Sequence, residues 1–211
     1  MDIIQQLPFP DEICHKIVLY AFKSPHIYLR EVIFKRALSK PIYQKLAEEG
    51  EIEIDAQGYV TRATCLWNHV DLESVQFDIR VLPRNLTEIN FASTGVTGDI
   101  QILRGLRHLT TFFLDGTGVT GHIQVLQGLQ RLTTFSLART GVFGDIQLLQ
   151  GLSHLTRFDL RNTSVMGAVQ VLQELPSLLE FYLDETGVTG DKYAYYDYRK
   201  LHGLRDCYVS L

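Results

Sequence analysis

From Leu86 onward, apolar and polar positions follow one pattern that returns every 23 residues, with Leu86, Leu109, Leu132, Leu155 and Leu178 marking its register. The units LTTFFLDGTGVTGHIQVLQGLQR (109–131) and LTTFSLARTGVFGDIQLLQGLSH (132–154) agree at 15 of 23 positions. LTEINFASTGVTGDIQILRGLRH (86–108) precedes them. LTRFDLRNTSVMGAVQVLQELPS (155–177) and a partial unit from Leu178 follow. A period of this length is the signature of stacked coils, each burying its apolar face only against its neighbours. Every unit has apolar residues at its first, fourth and sixth positions, as in Leu109, Phe112 and Leu114. The alternation of the last two predicts a short strand with one face inward. The TGVTG segment is expected to turn the chain. Ile123, Leu126 and Leu129, spaced by three, then predict a short helical return along the outside. At the fourth position Phe112, Phe135, Phe158 and Phe181 continue from Ile89 and predict a stacked internal spine.

The flanks follow different rules, as the ends of a stack of coils must. Residues 1–49 read as helical: Asp11 can cap a segment whose apolar face holds Ile13, Ile17 and Tyr20, and Pro25 and Pro41 punctuate the pieces. EIEIDAQGYVT (51–61) alternates around Gly58 like a small hairpin. In DLESVQFDI, Leu72, Val75 and Phe77 imitate the opening of a unit and predict a degenerate first strand. After the last unit, DKYAYYDYRK (191–200) interrupts the pattern, and Leu204 and Cys207 are placed to close an incomplete coil. The expected division is therefore 1–69 as a helical N-terminal cap with a hairpin, 70–190 as repeats and 191–211 as a tyrosine-rich cap.

These units resemble the leucine-rich repeat family, whose pattern is LxxLxLxxN followed by a variable return segment. The VTGDIQ portion is most similar to the plant-type subclass, which carries LxGxIP there. The resemblance implies an α/β, right-handed, curved solenoid with one parallel sheet. Two columns depart from it. Threonine stands where asparagine is usual (Thr94, Thr117, Thr140, Thr163, Thr186), and glutamine where proline is usual (Gln101, Gln124, Gln147, Gln170). Turn groups still need partners once buried, so a ladder of threonine hydroxyls is expected to replace the asparagine ladder. The opening LPFPDEICHKIVLYAF also resembles an F-box, LPxEIxxxI, with an extra residue between the prolines. That likeness implies docking to a ubiquitin-ligase core, and an amphipathic capping helix explains the same residues.

Composition narrows the function classes. Glycine is concentrated: 13 of 16 lie between Gly95 and Gly190, at fixed positions of the repeat, which removes a flexible-linker reading. A formal charge of −4 argues against a general nucleic-acid binder. Three widely spaced cysteines point to reduced thiols and an intracellular, cytoplasmic setting. The acidic, proline-broken start does not read as a signal peptide, and no stretch approaches the ~18–20 apolar residues that span a bilayer. The sequons at Asn85 and Asn162 then read as coincidence.

Little in the sequence resembles catalytic or cofactor chemistry. Gly116-Thr-Gly118-Val-Thr-Gly121 matches GxGxxG, but a dinucleotide site needs a strand, a long helix and an acidic residue about 20 positions on. Position 136 is Ser136, and sister units carry Ser93 and Arg139 where Gly116 stands. The histidines do not cluster with zinc spacing, and no nucleophile elbow is present. No cofactor or metal is expected.

What remains is surface. The resemblance implies that exposed strand positions line a concave face that binds a partner protein. That face carries Phe113, Asp115, Arg139, Arg157, Asp159, Arg161, Tyr182 and Asp184. Aromatic and arginine side chains are typical interface anchors; a solvated sheet whose charges pair among themselves is the plainer alternative. A permanent subunit of a larger assembly is a third reading. The tyrosines after Tyr182 suit either a half-wet site or a lid over the last coil.

Overall fold

The computed structural model describes residues 46, 48, 50–56, 59–64, 75–204 and 207–211. The N-terminal helices and the F-box-like segment expected from the sequence lie outside these residues.

Two sheets and a row of 3₁₀ turns build each coil. The fourth-position residues occupy three-residue strands: β3 (Glu88–Asn90), β5 (Thr111–Phe113), β7 (Thr134–Ser136), β9 (Arg157–Asp159) and β11 (Glu180–Tyr182). They pair in parallel with each residue facing its counterpart 23 positions on, so Phe112, Phe135, Phe158 and Phe181 lie side by side. β1 (Ile52–Ile54) and β2 (Val60–Thr64) form an antiparallel hairpin, and β2 pairs in parallel with β3. At the far end β13 (Tyr208–Ser210) pairs in parallel with β11, which completes an eight-stranded sheet among the described residues.

The TGVTG segments do more than turn the chain. β4 (Thr97–Asp99), β6 (Gly118–His122), β8 (Gly141–Asp145), β10 (Ser164–Ala168) and β12 (Gly187–Thr189) form a second, five-stranded parallel sheet. Val96, Val119, Val142 and Val165 point inward and are fully buried. The glycines let these strands lie against one another. Gly121 has φ of +123°, and a Cβ there would stand 2.4 Å from the Asp99 carboxylate of the preceding coil.

This second sheet corrects the reading of DLESVQFDI. Val75 and Phe77 are buried, but their carbonyls accept from Gly95 and Thr97, beside the second sheet. Asp78 accepts from the Arg80 N–H (2.9 Å), as Asp99 and Asp145 do from Gln101 and Gln147 (both 2.8 Å). Its residues from Val75 onward are thus the return half of a degenerate coil, and residues 71–74 lie outside the described ones. The first-strand slot beside β3 is filled by β2.

The phenylalanine spine is present. Adjacent rings stack 5.4–5.5 Å apart within 17° of parallel, from Phe112 to Phe181. Tyr195 closes it edge-on against Phe181 at 5.4 Å, carried by helix α1 (Lys192–Leu201). Asp191 caps that helix, accepting from the Tyr193 N–H at 2.7 Å. Arg199, 2% exposed, donates to the carbonyls of Leu175 (3.0 Å) and Leu178 (2.9 Å) at the end of the repeats. The edge of β13 is covered too, because the Val209 N–H donates to the Tyr196 hydroxyl at 3.2 Å.

Candidate functional site

The third, fifth and seventh residues of each unit flank buried ones on the eight-stranded sheet, so they share its solvent face. Side-chain size decides how open they are. Ala92, Ser136 and Ala138 are buried, and Phe113 and Tyr182 are half-buried where the sequence suggested exposed rings. Beyond the carboxyl ends of β5, β7, β9 and β11 lies a hollow of about 530 Å³. Asp115, Arg139, Asp159, Arg161 and Asp184 line it, together with Asn162, Glu185 and Ser210. Five of the eight residues singled out from the sequence thus converge on one feature.

The hollow takes its form from the backbone. Arg139, Asn162 and Glu185 adopt φ of +54° to +56°, the conformation Gly116 has in the sister coil. The N–H groups of the first two still continue the sheet ladder, with Arg139 donating to the Arg161 carbonyl (2.8 Å) and Asn162 to that of Asp184 (2.9 Å). The left-handed residue therefore lifts each eighth side chain to the rim without breaking the coil-to-coil bonds.

Charges here are partly spoken for. Arg161 grips Asp159 through Nε at 3.0 Å and Nη2 at 2.6 Å, and this hydrogen bond holds its guanidinium above the usual arginine range. Ser210 donates to Asp184 at 2.6–2.7 Å, and Asn162 donates to Glu185 at 2.7 Å. Neither Asp115 nor Arg139 has a side-chain hydrogen bond or salt bridge among the described residues.

Next to the hollow is a platform of rings and arginines. Tyr182 lies 5.5 Å from Tyr208, with the Arg161 guanidinium 4.8 Å and that of Arg157 5.8 Å from its centroid. Arg157 is tied to Glu180 at 3.1 Å. The Tyr182 hydroxyl donates to Glu180, which, with burial, raises its pKa above that of a free tyrosine. Phe113 is on the same face but does not line the hollow.

No protein-family model matches the chain, and no curated protein matches it. Solved structures do match. The plant peptide hormone receptor RGFR1, solved in complex with RGF2, superposes with a TM-score of 0.55 at 19% identity, over 75% of this chain and 28% of the receptor's. A plant ice-binding protein gives 0.55 at 20% identity, over 66% of this chain and 47% of that one. The BIR2 ectodomain from Arabidopsis thaliana gives 0.52 at 17%, over 66% and 76%. The chain has the leucine-rich-repeat fold. It spans a quarter to a half of the first two of these proteins.

Within that fold, three features escaped the sequence reading. The threonines in the asparagine column do not form a ladder. Each donates to the carbonyl three residues back in its own coil, as Thr117 does to Leu114 at 2.6 Å and Thr140 to Leu137 at 2.5 Å. The coil-to-coil hydroxyl ladder is in the second column, where Thr110, Thr133 and Thr156 donate to Thr87, Thr110 and Thr133 at 2.8–3.0 Å. The second sheet also exposes Phe143 (48%) and Met166 (58%), with the His122 ring edge-on to Phe143 at 5.2 Å. Assigning TGVTG to a turn hid these residues.

The remaining chemistry is spare. Gly118 and Gly121 of the GxGxxG match lie in β6 and pack on Thr97 and Asp99 of the preceding coil, so that motif belongs to coil packing. No group of three or more metal-ligating side chains occurs among the described residues. None of the described helices is long and apolar enough to cross a membrane.

Proposed function

We propose that this chain is a non-catalytic interaction module that binds a protein partner on the solvent face of its eight-stranded sheet. The observation that carries this reading is the convergence of Asp115, Arg139, Asp159, Arg161 and Asp184 on one hollow beside the Tyr182–Tyr208 platform. Rings and guanidiniums held by hydrogen bonds lose little freedom when a partner docks, which is what makes such groups effective anchors. Two proteins of similar fold add support: RGFR1 was solved with RGF2, and PEPR1 with AtPEP1. Reversing Arg157 and Arg161 to glutamate tests the reading. A partner captured by the native chain is expected to be lost, and an unchanged partner set would show the face to be idle.

The sequence LPFPDEICHKI carries a second reading, an adaptor that docks a ubiquitin-ligase core. Deleting residues 7–22 should then abolish co-purification with a ligase scaffold and leave the sheet face competent. In both readings, three widely spaced cysteines are what supports an intracellular setting.

A further inference from the structure

Across the hollow, charge changes sign in a fixed order. Asp115 belongs to the unit starting at Leu109, Arg139 to the next, the closed Asp159–Arg161 pair to the third, and Asp184 and Glu185 to the fourth. Walking across the strands, a ligand meets an open anion, an open cation, a neutralised pair and then two carboxylates. These last are held by Ser210 and Asn162, which are neutral. We propose, building on the sheet-face reading above, that the hollow takes an extended peptide segment of a partner whose residues i, i+2 and i+4 are basic, acidic and basic.

The spacing supports this order. Parallel strands lie about 4.8 Å apart, so three coil steps from Asp115 to Asp184 cover roughly 14 Å. An extended peptide rises about 3.3 Å per residue and turns alternate side chains to one face, so i and i+4 stand about 13 Å apart. The basic residue i meets Asp115, the acidic i+2 meets Arg139, and the basic i+4 reaches Asp184 and Glu185. The order reads the same in both directions, so the segment's polarity is set elsewhere, by the Tyr182–Tyr208 platform at one end only. A like-charged segment gains at one contact and loses at the next, and this alternation is how charge confers specificity.

Fluorescence anisotropy with three fluorescein-labelled nonapeptides tests the proposal on the full chain. Each has a serine and tyrosine background. One carries Lys, Glu and Lys at alternate positions, one carries Glu, Lys and Glu there, and one carries the first set in contiguous order. The first peptide is expected to bind about tenfold tighter than either control at low salt. Asp115→Asn and Arg139→Gln should each erase that preference. The triple variant D115R/R139E/D184R should turn it toward the Glu-Lys-Glu peptide. Equal binding of the three peptides, or a preference that survives D115N and R139Q, overturns the charge order; so does no binding of any peptide at about 1 mM. If equal binding is still lost in R157E/R161E, the sheet-face reading stands and only the charge order falls. If peptides bind undiminished in R157E/R161E, the sheet-face reading falls with it.

Discussion

Thr133 and Thr140 stand seven residues apart in one coil, yet their hydroxyls bond in different directions. Thr133 reaches the Thr110 carbonyl of the preceding coil, which also accepts the backbone N–H groups of Thr133 and Thr134. Thr140 bonds within its own turn to Leu137. Removing the first hydroxyl leaves its acceptor with two donors. Removing the second takes away a short bond at a half-buried turn. Thr133→Val should therefore cost about 1 kcal/mol and Thr140→Val about 1–3 kcal/mol in denaturant unfolding, with the order as the diagnostic. Either threonine could have formed the ladder on sequence grounds, because donor capacity is the same at both. Only the rise of the coil decides which hydroxyl faces a neighbour. Cys207 supplies a pH dependence. Burial pushes its thiol up to about 11 from an ordinary value of 9, so the fold favours the protonated form. The unfolded chain loses that proton first, and stability should fall as pH rises from about 9 to 11. In Cys207→Ala this fall in the melting temperature should be smaller. An equal fall would contradict the assignment.

Among the elements, the strands of the larger sheet were legible and those of the smaller one were not. Phe112 flanked by Thr111 and Phe113 alternates as a half-buried strand does. A five-residue segment with two glycines carries the signal of a turn, and only stacking in register makes it a sheet. The same misreading placed Val75 and Phe77 in the wrong half of their coil. Helix α1 shows what ends the stack. Tyr195 covers the last phenylalanine, and Arg199 satisfies the Leu175 and Leu178 carbonyls. Nothing in DKYAYYDYRK marks Arg199 as the buried one of its cations, since that depends on which helix face meets the coil. Arg199→Met keeps the length of the side chain but removes its donors, and should destabilise by about 2–4 kcal/mol. Hydrogen exchange should rise first in β11 and β13, next to the lost contacts.

For the whole molecule, contacts run between neighbouring coils, so stability is close to a sum of coil and interface terms. Phe135 touches a ring on both sides and Phe112 has one stacked ring partner, Phe135. Phe135→Ala should cost ~3–5 kcal/mol in denaturant unfolding, and a variant that melts like the parent would sink the spine. The positions that vary between coils carry function, and there the two sheets compete. One offers the charged hollow with Phe113 and Tyr182 beside it. The other, the smaller sheet, offers Phe143 and Met166, both exposed. The sequence pointed to the first because its strands alternate visibly, and it could not point to the second, whose strands were not visible in it. A photo-crosslinking residue placed singly at positions 113, 182 and 166 of the full chain decides between them. Binding on the larger sheet gives crosslinks to one and the same partner from 113 and 182 and none from 166; crosslinks from 166 alone would move the interface to the smaller sheet.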